Sequence, residues 1–161
     1  MIIWCASYPK SGNTWIRAII TSLIYSNNGN FKFDMLREVS LFPKRYHFKN
    51  YTNDYSNLKK ISQYWINAQE KINSDGKTRI FKTHNGNYNF LGKDFTNKKN
   101  TIAVIYIVRD PRNIISSISN HYHLNKEQSV DFLLDEKRFL FNKNDPNDLT
   151  EENIITLLGS W

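Results

Sequence analysis

The fold is decided by the stretch Ser7-Tyr8-Pro9-Lys10-Ser11-Gly12-Asn13-Thr14-Trp15, which joins a short apolar run to a segment of helical periodicity. The apolar run over residues 1–6 predicts a buried strand, and residues 16–24 predict a helix. A loop at a helix N-terminus presents unpaired N–H groups and the positive end of the helix dipole. Because Lys10 adds a full positive charge there, the stretch predicts an anion site.

This loop differs from the common mononucleotide-binding loop. In the pattern Gly-x-x-x-x-Gly-Lys-Ser/Thr the lysine follows the second glycine, whereas Lys10 precedes Gly12 here. Taken alone, the stretch is equally compatible with an ordinary Ser/Gly-containing turn before a helix. The rest of the chain therefore has to distinguish a phosphate loop from a plain turn.

Strands and helices alternate along the remaining sequence. Further strands are predicted over residues 78–83 and 101–108, the second of which is β-branched, nearly all apolar and predicted to be buried. Residues 30–60 are interpreted as short helical turns and loops. Further helices are predicted over residues 57–73, from Pro111 behind an Asp110 N-cap, over 126–141 behind an Asn125–Gln128 capping box, and from Thr150 to Leu158. This order predicts an α/β fold with a central, mainly parallel sheet flanked by helices.

Chemically suggestive side chains follow the end of each predicted strand. Lys10 follows the first, Lys82 and His84 lie at the second, and Arg109 follows the third. In open parallel sheets ligands bind beyond the carboxyl ends of the strands. We therefore expect these four residues to meet at one edge of the sheet.

Composition limits the other possibilities. A chain of 161 residues suits a single domain, and its formal charge of +7 is spread along the sequence without a polybasic block. The single cysteine, Cys5, excludes a disulfide framework and a cysteine-rich zinc site, and it is predicted to be a buried core residue. No apolar run approaches the roughly 18 residues of a membrane helix. A cytoplasmic protein without a membrane or nucleic-acid partner is predicted.

Three motifs then resemble those of sulfotransferases that use 3′-phosphoadenosine 5′-phosphosulfate (PAPS). Residues 8–15 are similar to their 5′-phosphosulfate loop, and Phe81-Lys82-Thr83-His84 is similar to the segment that carries their catalytic histidine. Val108-Arg109-Asp110-Pro111-Arg112-Asn113 with Ser116-Ser117 resembles their 3′-phosphate motif. The order and spacing agree, and only residues 30–75 match loosely. The resemblance implies a three-layer fold like that of the P-loop nucleotide kinases.

The resemblance also implies roles for individual residues. Lys10 would stabilise the leaving phosphate, His84 would be the general base, and Lys82 would support the transferring sulfuryl group. PAPS would be the donor, adenosine 3′,5′-bisphosphate the product, and no metal would be needed. The residues implied in cofactor binding are Lys10, Ser11, Gly12, Asn13, Thr14, Trp15, Arg109 and Ser117. The other histidines, His47, His121 and His123, are interpreted as structural or surface residues.

The acceptor would be the hydroxyl of a small molecule or glycan or, alternatively, an amine, in a site lined by residues 30–60 and 85–97. The family's later motif, Arg-Lys-Gly-x-x-Gly-Asp-Trp, has no counterpart here. Residues 1–161 are therefore expected to form one sulfotransferase domain that lacks its C-terminal part. The alternatives are a P-loop-type small-molecule kinase, a non-catalytic nucleotide-binding module and, on charge alone, a nucleic-acid binder.

Overall fold

The computed structural model describes residues 1–140 and 154–161. Its strands are β1 (Ile2–Ser7), β2 (Arg79–Thr83), β3 (Asn89–Phe90), β4 (Lys93–Asp94), β5 (Thr101–Ile107), β6 (Phe139–Leu140) and β7 (Thr156–Leu157). Its α-helices are α1 (Asn13–Tyr25), α2 (Arg45–Phe48), α3 (Leu58–Ser62), α4 (Trp65–Asn73), α5 (Pro111–Tyr122) and α6 (Lys126–Leu134). A short 3₁₀ helix spans Phe33–Arg37.

The main sheet has the order β2-β1-β5, and both outer strands run parallel to β1. Ala6 is paired with Thr83, and Ser7 with Ile107, so the three strands end at the same edge. This confirms the predicted α/β class with a central parallel sheet flanked by helices. It also confirms that the polar clusters following the strands share one side of the sheet.

An aromatic core packs against the sheet around the Trp4 ring. Its centroid lies 5.4 Å from that of Phe42 and 5.3 Å from that of Phe95, and its indole N–H donates to Thr101 Oγ1 at 2.9 Å. The indole nitrogen is the one polar atom of this buried, mainly apolar side chain, and the hydrogen bond gives it a partner. The buried residues of this cluster are Ile2, Trp4, Phe42, Phe48, Leu58, Ile61, Trp65, Ala68, Phe81, Phe95, Ile154, Ile155 and Leu157. Cys5 is buried as well, as predicted.

A second cluster fixes the opening loop to the helices that follow β5. Tyr8 packs edge-on against Phe132, with ring centroids 6.4 Å apart, and its hydroxyl donates to the Phe132 carbonyl at 3.1 Å. The cluster comprises Tyr8, Ile114, Ile118, Phe132, Leu133 and Leu158. Helix α5 is therefore held beside the loop, with its N-terminus close to the sheet edge.

The helix boundaries are only partly as predicted. Asp110 caps α5, where its carboxylate accepts from the Arg112 N–H at 2.9 Å, and the Asn125–Gln128 capping box of α6 is present. The helix predicted over residues 57–73 is divided into α3 and α4, because Tyr64 leaves the helical conformation (φ −114°, ψ 6°).

Of the two predicted C-terminal helices, only residues 126–134 are helical within the described part of the chain. Helix α6 ends at Leu134 because Asp135 is extended, and the chain then enters β6. The predicted cap Thr150 lies outside the described residues. Residues 154–158 are not helical, since β7 pairs antiparallel with β6.

Apolar side chains on β5 and on α1 are exposed, and burial was predicted only for β5. On β5, Val104 is 55% exposed and Tyr106 is 68% exposed, and on α1 Trp15 and Leu23 are 78% and 77% exposed. Strand β5 is an edge of the main sheet, and within the described residues little packs on its faces. Its strand conformation is thus confirmed, whereas the prediction of a buried strand is wrong for this part of the chain.

Candidate functional site

The opening loop turns sharply between β1 and α1. Lys10 has φ 68° and Gly12 has φ 105°, so both adopt left-handed backbone conformations. Glycine takes this conformation without a steric penalty, whereas a residue with a Cβ loses roughly 1–2 kcal/mol. Such strain is found mostly at functional sites. The Gly12 carbonyl accepts from the Trp15 N–H at 3.0 Å and starts the helix.

Two polar side chains of the loop are buried beneath it. Ser11 Oγ is buried and makes no hydrogen bond within the described part of the chain. The Asn13 amide instead donates to the Cys5 carbonyl at 3.0 Å and to Ser7 Oγ at 3.1 Å. The Asn13 side chain therefore fastens the loop to β1, and only its backbone N–H can serve an anion.

The imidazole of His84 is oriented by the end of β1. Its Nδ1 lies 2.7 Å from the Ser7 carbonyl oxygen and 3.3 Å from Ser7 Oγ. Because a carbonyl oxygen can only accept, Nδ1 carries the proton in the neutral ring and Nε2 keeps its lone pair. Burial and the Lys82 charge lower the pKa of His84 to about 4, against the opposing effect of the Ser7 hydrogen bond. The ring is consequently neutral at physiological pH.

A polar cavity of about 510 Å³ brings the predicted residues together. Arg109 reaches across its wall, where Nη1 donates to the Lys10 carbonyl at 3.1 Å and links the end of β5 to the loop. Ser11 lies behind the wall, and the exposed ring of Trp15 belongs to the lining. The predicted residues that line the cavity are Lys10, Gly12, Asn13, Thr14, Trp15, Lys82, His84, Arg109 and Ser117. Cationic side chains beside a helix N-terminus suit a ligand with several negative charges.

A second cavity of about 320 Å³ shares His84 with the first and is mainly apolar. It is lined by residues 85–88, 95 and 96, which belong to a range predicted for the acceptor site, together with Trp4, Tyr8, Tyr106 and Leu158. Residues 30–60 do not line this cavity, and where the acceptor binds stays a prediction. They supply Phe42 and Phe48 to the aromatic core instead, because these rings pack on the sheet.

Comparison with known proteins identifies the family. The family described as "Sulfotransferase domain" matches residues 2–161. The chain belongs to the sulfotransferase family. A luciferin sulfotransferase from Photinus pyralis is 30% identical over 146 residues, which cover 86% of this chain. The chain spans 37% of the length of that relative. Membership supports sulfuryl transfer over the phosphoryl transfer of the kinase alternative.

Several residues of this candidate site were not identified from the sequence. His121 lies one helical turn beyond Ser117 and lines the polar cavity with Tyr122 and Pro9. Desolvation and then the nearby Lys10 charge lower the pKa of His121. His121 is exposed, so its interpretation as a surface residue is confirmed. Its place in the cavity lining was not predicted, and the i,i+4 spacing from Ser117 was the available signal. Ser7 was also missed, although it is a polar residue at the end of an apolar strand.

Two further findings concern the described part of the sulfotransferase domain. Among its described residues there is no group of three His, Cys, Asp or Glu side chains that could hold a metal ion. Catalysis without a metal remains a prediction. The helices of residues 1–140 and 154–161 include none with the length and apolarity to cross a membrane.

Proposed function

We propose that the chain transfers the sulfuryl group of PAPS to an acceptor hydroxyl, or alternatively an amine, and releases adenosine 3′,5′-bisphosphate. One observation carries the proposal. A single cavity is lined by the cations Lys10, Lys82 and Arg109 and by a neutral His84 whose Nε2 can accept a proton. PAPS, when bound, supplies a sulfuryl group whose bond to the 5′-phosphate is replaced by a bond to the acceptor.

The lining of the cavity offers groups for two phosphates. Lys10, the first N–H groups of α1 and the Thr14 hydroxyl suit the 5′-phosphate, and the unpartnered Ser11 hydroxyl is buried behind them. The planar fork of Arg109 and the hydroxyl of Ser117 suit the 3′-phosphate. The exposed ring of Trp15 offers a surface for the adenine. The site residues thus keep the roles that the resemblance implied.

The catalytic roles follow from charge and protonation. His84 Nε2 takes the acceptor proton as the acceptor oxygen forms its bond to sulfur. Lys10 faces the negative charge that grows on the leaving phosphate, and Lys82 stabilises the sulfuryl oxygens. Fixed charges of this kind lower the barrier because they are already oriented before the reaction. No metal is part of this proposal, and a cytoplasmic location rests on the single buried cysteine, Cys5.

Calorimetry with adenosine 3′,5′-bisphosphate, PAPS and ATP–Mg²⁺ tests the proposal on this chain. We expect the bisphosphate and PAPS to bind and ATP–Mg²⁺ to bind much more weakly, with turnover when a hydroxyl acceptor is added. Bisphosphate binding without turnover of any acceptor would instead support a non-catalytic nucleotide-binding module. Preference for ATP–Mg²⁺ would contradict the proposal.

The low pKa of His84 predicts an unusual pH profile. Below its pKa of about 4 the ring is protonated and cannot accept a proton, whereas above it the base is fully available. The kcat/KM for transfer should therefore stay level as the pH falls through the ordinary histidine range and decline only near pH 4. A pH–rate profile checks this, with circular dichroism at each pH to verify folding. A decline centred on the ordinary histidine pKa would contradict the assignment.

Arg109→Ala is expected to weaken binding of the bisphosphate about tenfold to a hundredfold, because a charge-assisted hydrogen bond contributes about 1.5–3 kcal/mol. Calorimetry should compare adenosine 3′,5′-bisphosphate with adenosine 5′-monophosphate. Only the ligand with a 3′-phosphate should lose affinity. An Arg109→Lys control keeps the charge without the fork and should lose less. Equal losses of affinity for both nucleotides would mean that Arg109 does not bind the 3′-phosphate and only holds the loop in place through its hydrogen bond to the Lys10 carbonyl.

A further inference from the structure

Tyr88 lines two cavities that are mainly apolar. One is the cavity of about 320 Å³ beside His84, and the other has a volume of about 440 Å³. The second cavity is lined by Leu58, Phe90, Phe139, Ile155 and Leu157, with Asn89, Glu136 and Lys137 as its polar residues. No catalytic role falls on Tyr88, and apart from it the two linings share no residue.

Two glycines make room for this ring. A Cβ built on Gly86 would overlap the ring carbons of Tyr88, and one built on Gly159 would overlap its hydroxyl. The ring therefore occupies the space that side chains at these two positions would need. We call this space between Gly86 and Gly159 the slot. Two hydrogen bonds hold the backbone around it, since Gly86 N donates to the Leu157 carbonyl at 2.8 Å and Leu157 N donates to Asn85 Oδ1 at 3.0 Å.

We propose that Tyr88 is a specificity-determining residue that limits how long an acceptor can be. The proposal rests on the proposed function, in which the acceptor hydroxyl enters the apolar cavity beside His84. A compact apolar hydroxyl compound fits between His84 and the Tyr88 ring. A longer compound meets the ring of Tyr88. The backbone at Gly86 and Gly159 lies against this ring and prevents the ring from moving aside in that direction. Without the ring, the two cavities become continuous and the longer compound is accommodated.

Binding of 4-alkylphenols of increasing chain length tests this, measured by calorimetry with adenosine 3′,5′-bisphosphate present. In the wild-type chain, affinity should rise with chain length and then stop or fall when the alkyl group reaches Tyr88. In Tyr88→Ala it should continue to rise about fourfold for each added CH₂ that is buried. Tyr88→Phe keeps the ring and should retain the wild-type limit. Thermal melting verifies that each variant is folded.

Gly86→Ala provides a second test that leaves the tyrosine in place. Its new Cβ overlaps the ring position and should displace the ring, so the length limit should shift as well. An unchanged limit in both Tyr88→Ala and Gly86→Ala would overturn the proposal, as would failure of the wild-type chain to bind any alkylphenol.

The same measurements separate this inference from the proposed function. If the length limit shifts but no alkylphenol is sulfated, Tyr88 divides the cavities and sulfuryl transfer is wrong. If alkylphenols are sulfated with the same length limit in every variant, transfer stands and the role of Tyr88 is wrong. Each variant should bind the bisphosphate as the wild-type chain does, because Tyr88 and Gly86 lie outside the polar cavity.

Discussion

The His84→Ala variant should lose sulfuryl transfer by about 10²–10⁴-fold, the usual contribution of a positioned general base. It should still bind adenosine 3′,5′-bisphosphate, because the cations and hydroxyls that suit the phosphates are untouched. The reason lies in the protonation of the ring: Nδ1 donates to the Ser7 carbonyl, which leaves Nε2 as a neutral acceptor. Turnover with a saturating acceptor and calorimetry with the bisphosphate measure the two effects separately.

His84→Asn is the matched control for this result. An asparagine amide can replace the donor to the Ser7 carbonyl, but it offers no base in place of Nε2. We expect His84→Asn to recover any stability lost in His84→Ala and to remain equally inactive. If His84→Asn regained turnover, the histidine would serve only to position the end of β1. Wild-type turnover in His84→Ala would remove the residue from the mechanism.

Lys10→Met is expected to slow transfer about 10²–10³-fold, as loss of one preoriented group at a developing charge does. Methionine keeps the length and apolar stem of the side chain but not its charge. Since the charge on the leaving phosphate grows as the bond breaks, kcat should fall more than PAPS affinity does. Rapid-quench measurement of a single turnover, together with equilibrium titration of PAPS, separates the two quantities.

A lysine away from the site controls for net charge. Lys93 lies on the exposed strand β4, and Lys93→Met removes the same charge without touching the cavity. We expect its kcat and PAPS affinity to match the wild type. If Lys10→Met lost PAPS affinity while its kcat stayed at the wild-type value, Lys10 would stabilise the ground state and the transition state equally and contribute nothing specific to the transition state.

Local sequence patterns were sufficient to predict the strand and the helix N-termini that surround the site. The apolar run before Ser7, the Asp110-Pro111 start of α5 and the Asn125–Gln128 box each encode their structure within a few residues. Parallel pairing then brings the ends of the strands to one edge, which is why Lys10 and Arg109 meet there despite their separation in sequence. Order and topology together predicted most of the residues that line the polar cavity.

Contacts made only in three dimensions could not be predicted. The inward turn of the Asn13 amide and the hydrogen bond from His84 to the Ser7 carbonyl depend on how the loop packs over β1. The prediction that β5 is buried was wrong, because the sequence pattern shows how apolar a strand is and does not show which residues cover it. Gly86 and Gly159 both lie against the Tyr88 side chain, and no local sequence pattern predicts that two positions so far apart in the chain meet there.

The left-handed backbone of Lys10 has a consequence for engineering this chain. At φ 68° glycine is the residue that relaxes the turn, yet only lysine brings the cation to the cavity. Lys10→Gly therefore relaxes the backbone but removes the cation from the cavity. Under the role proposed for Lys10, selection for thermostability and selection for turnover favour different residues at this position. A directed-evolution screen that ranks clones by melting temperature alone would then select Lys10→Gly and lose turnover.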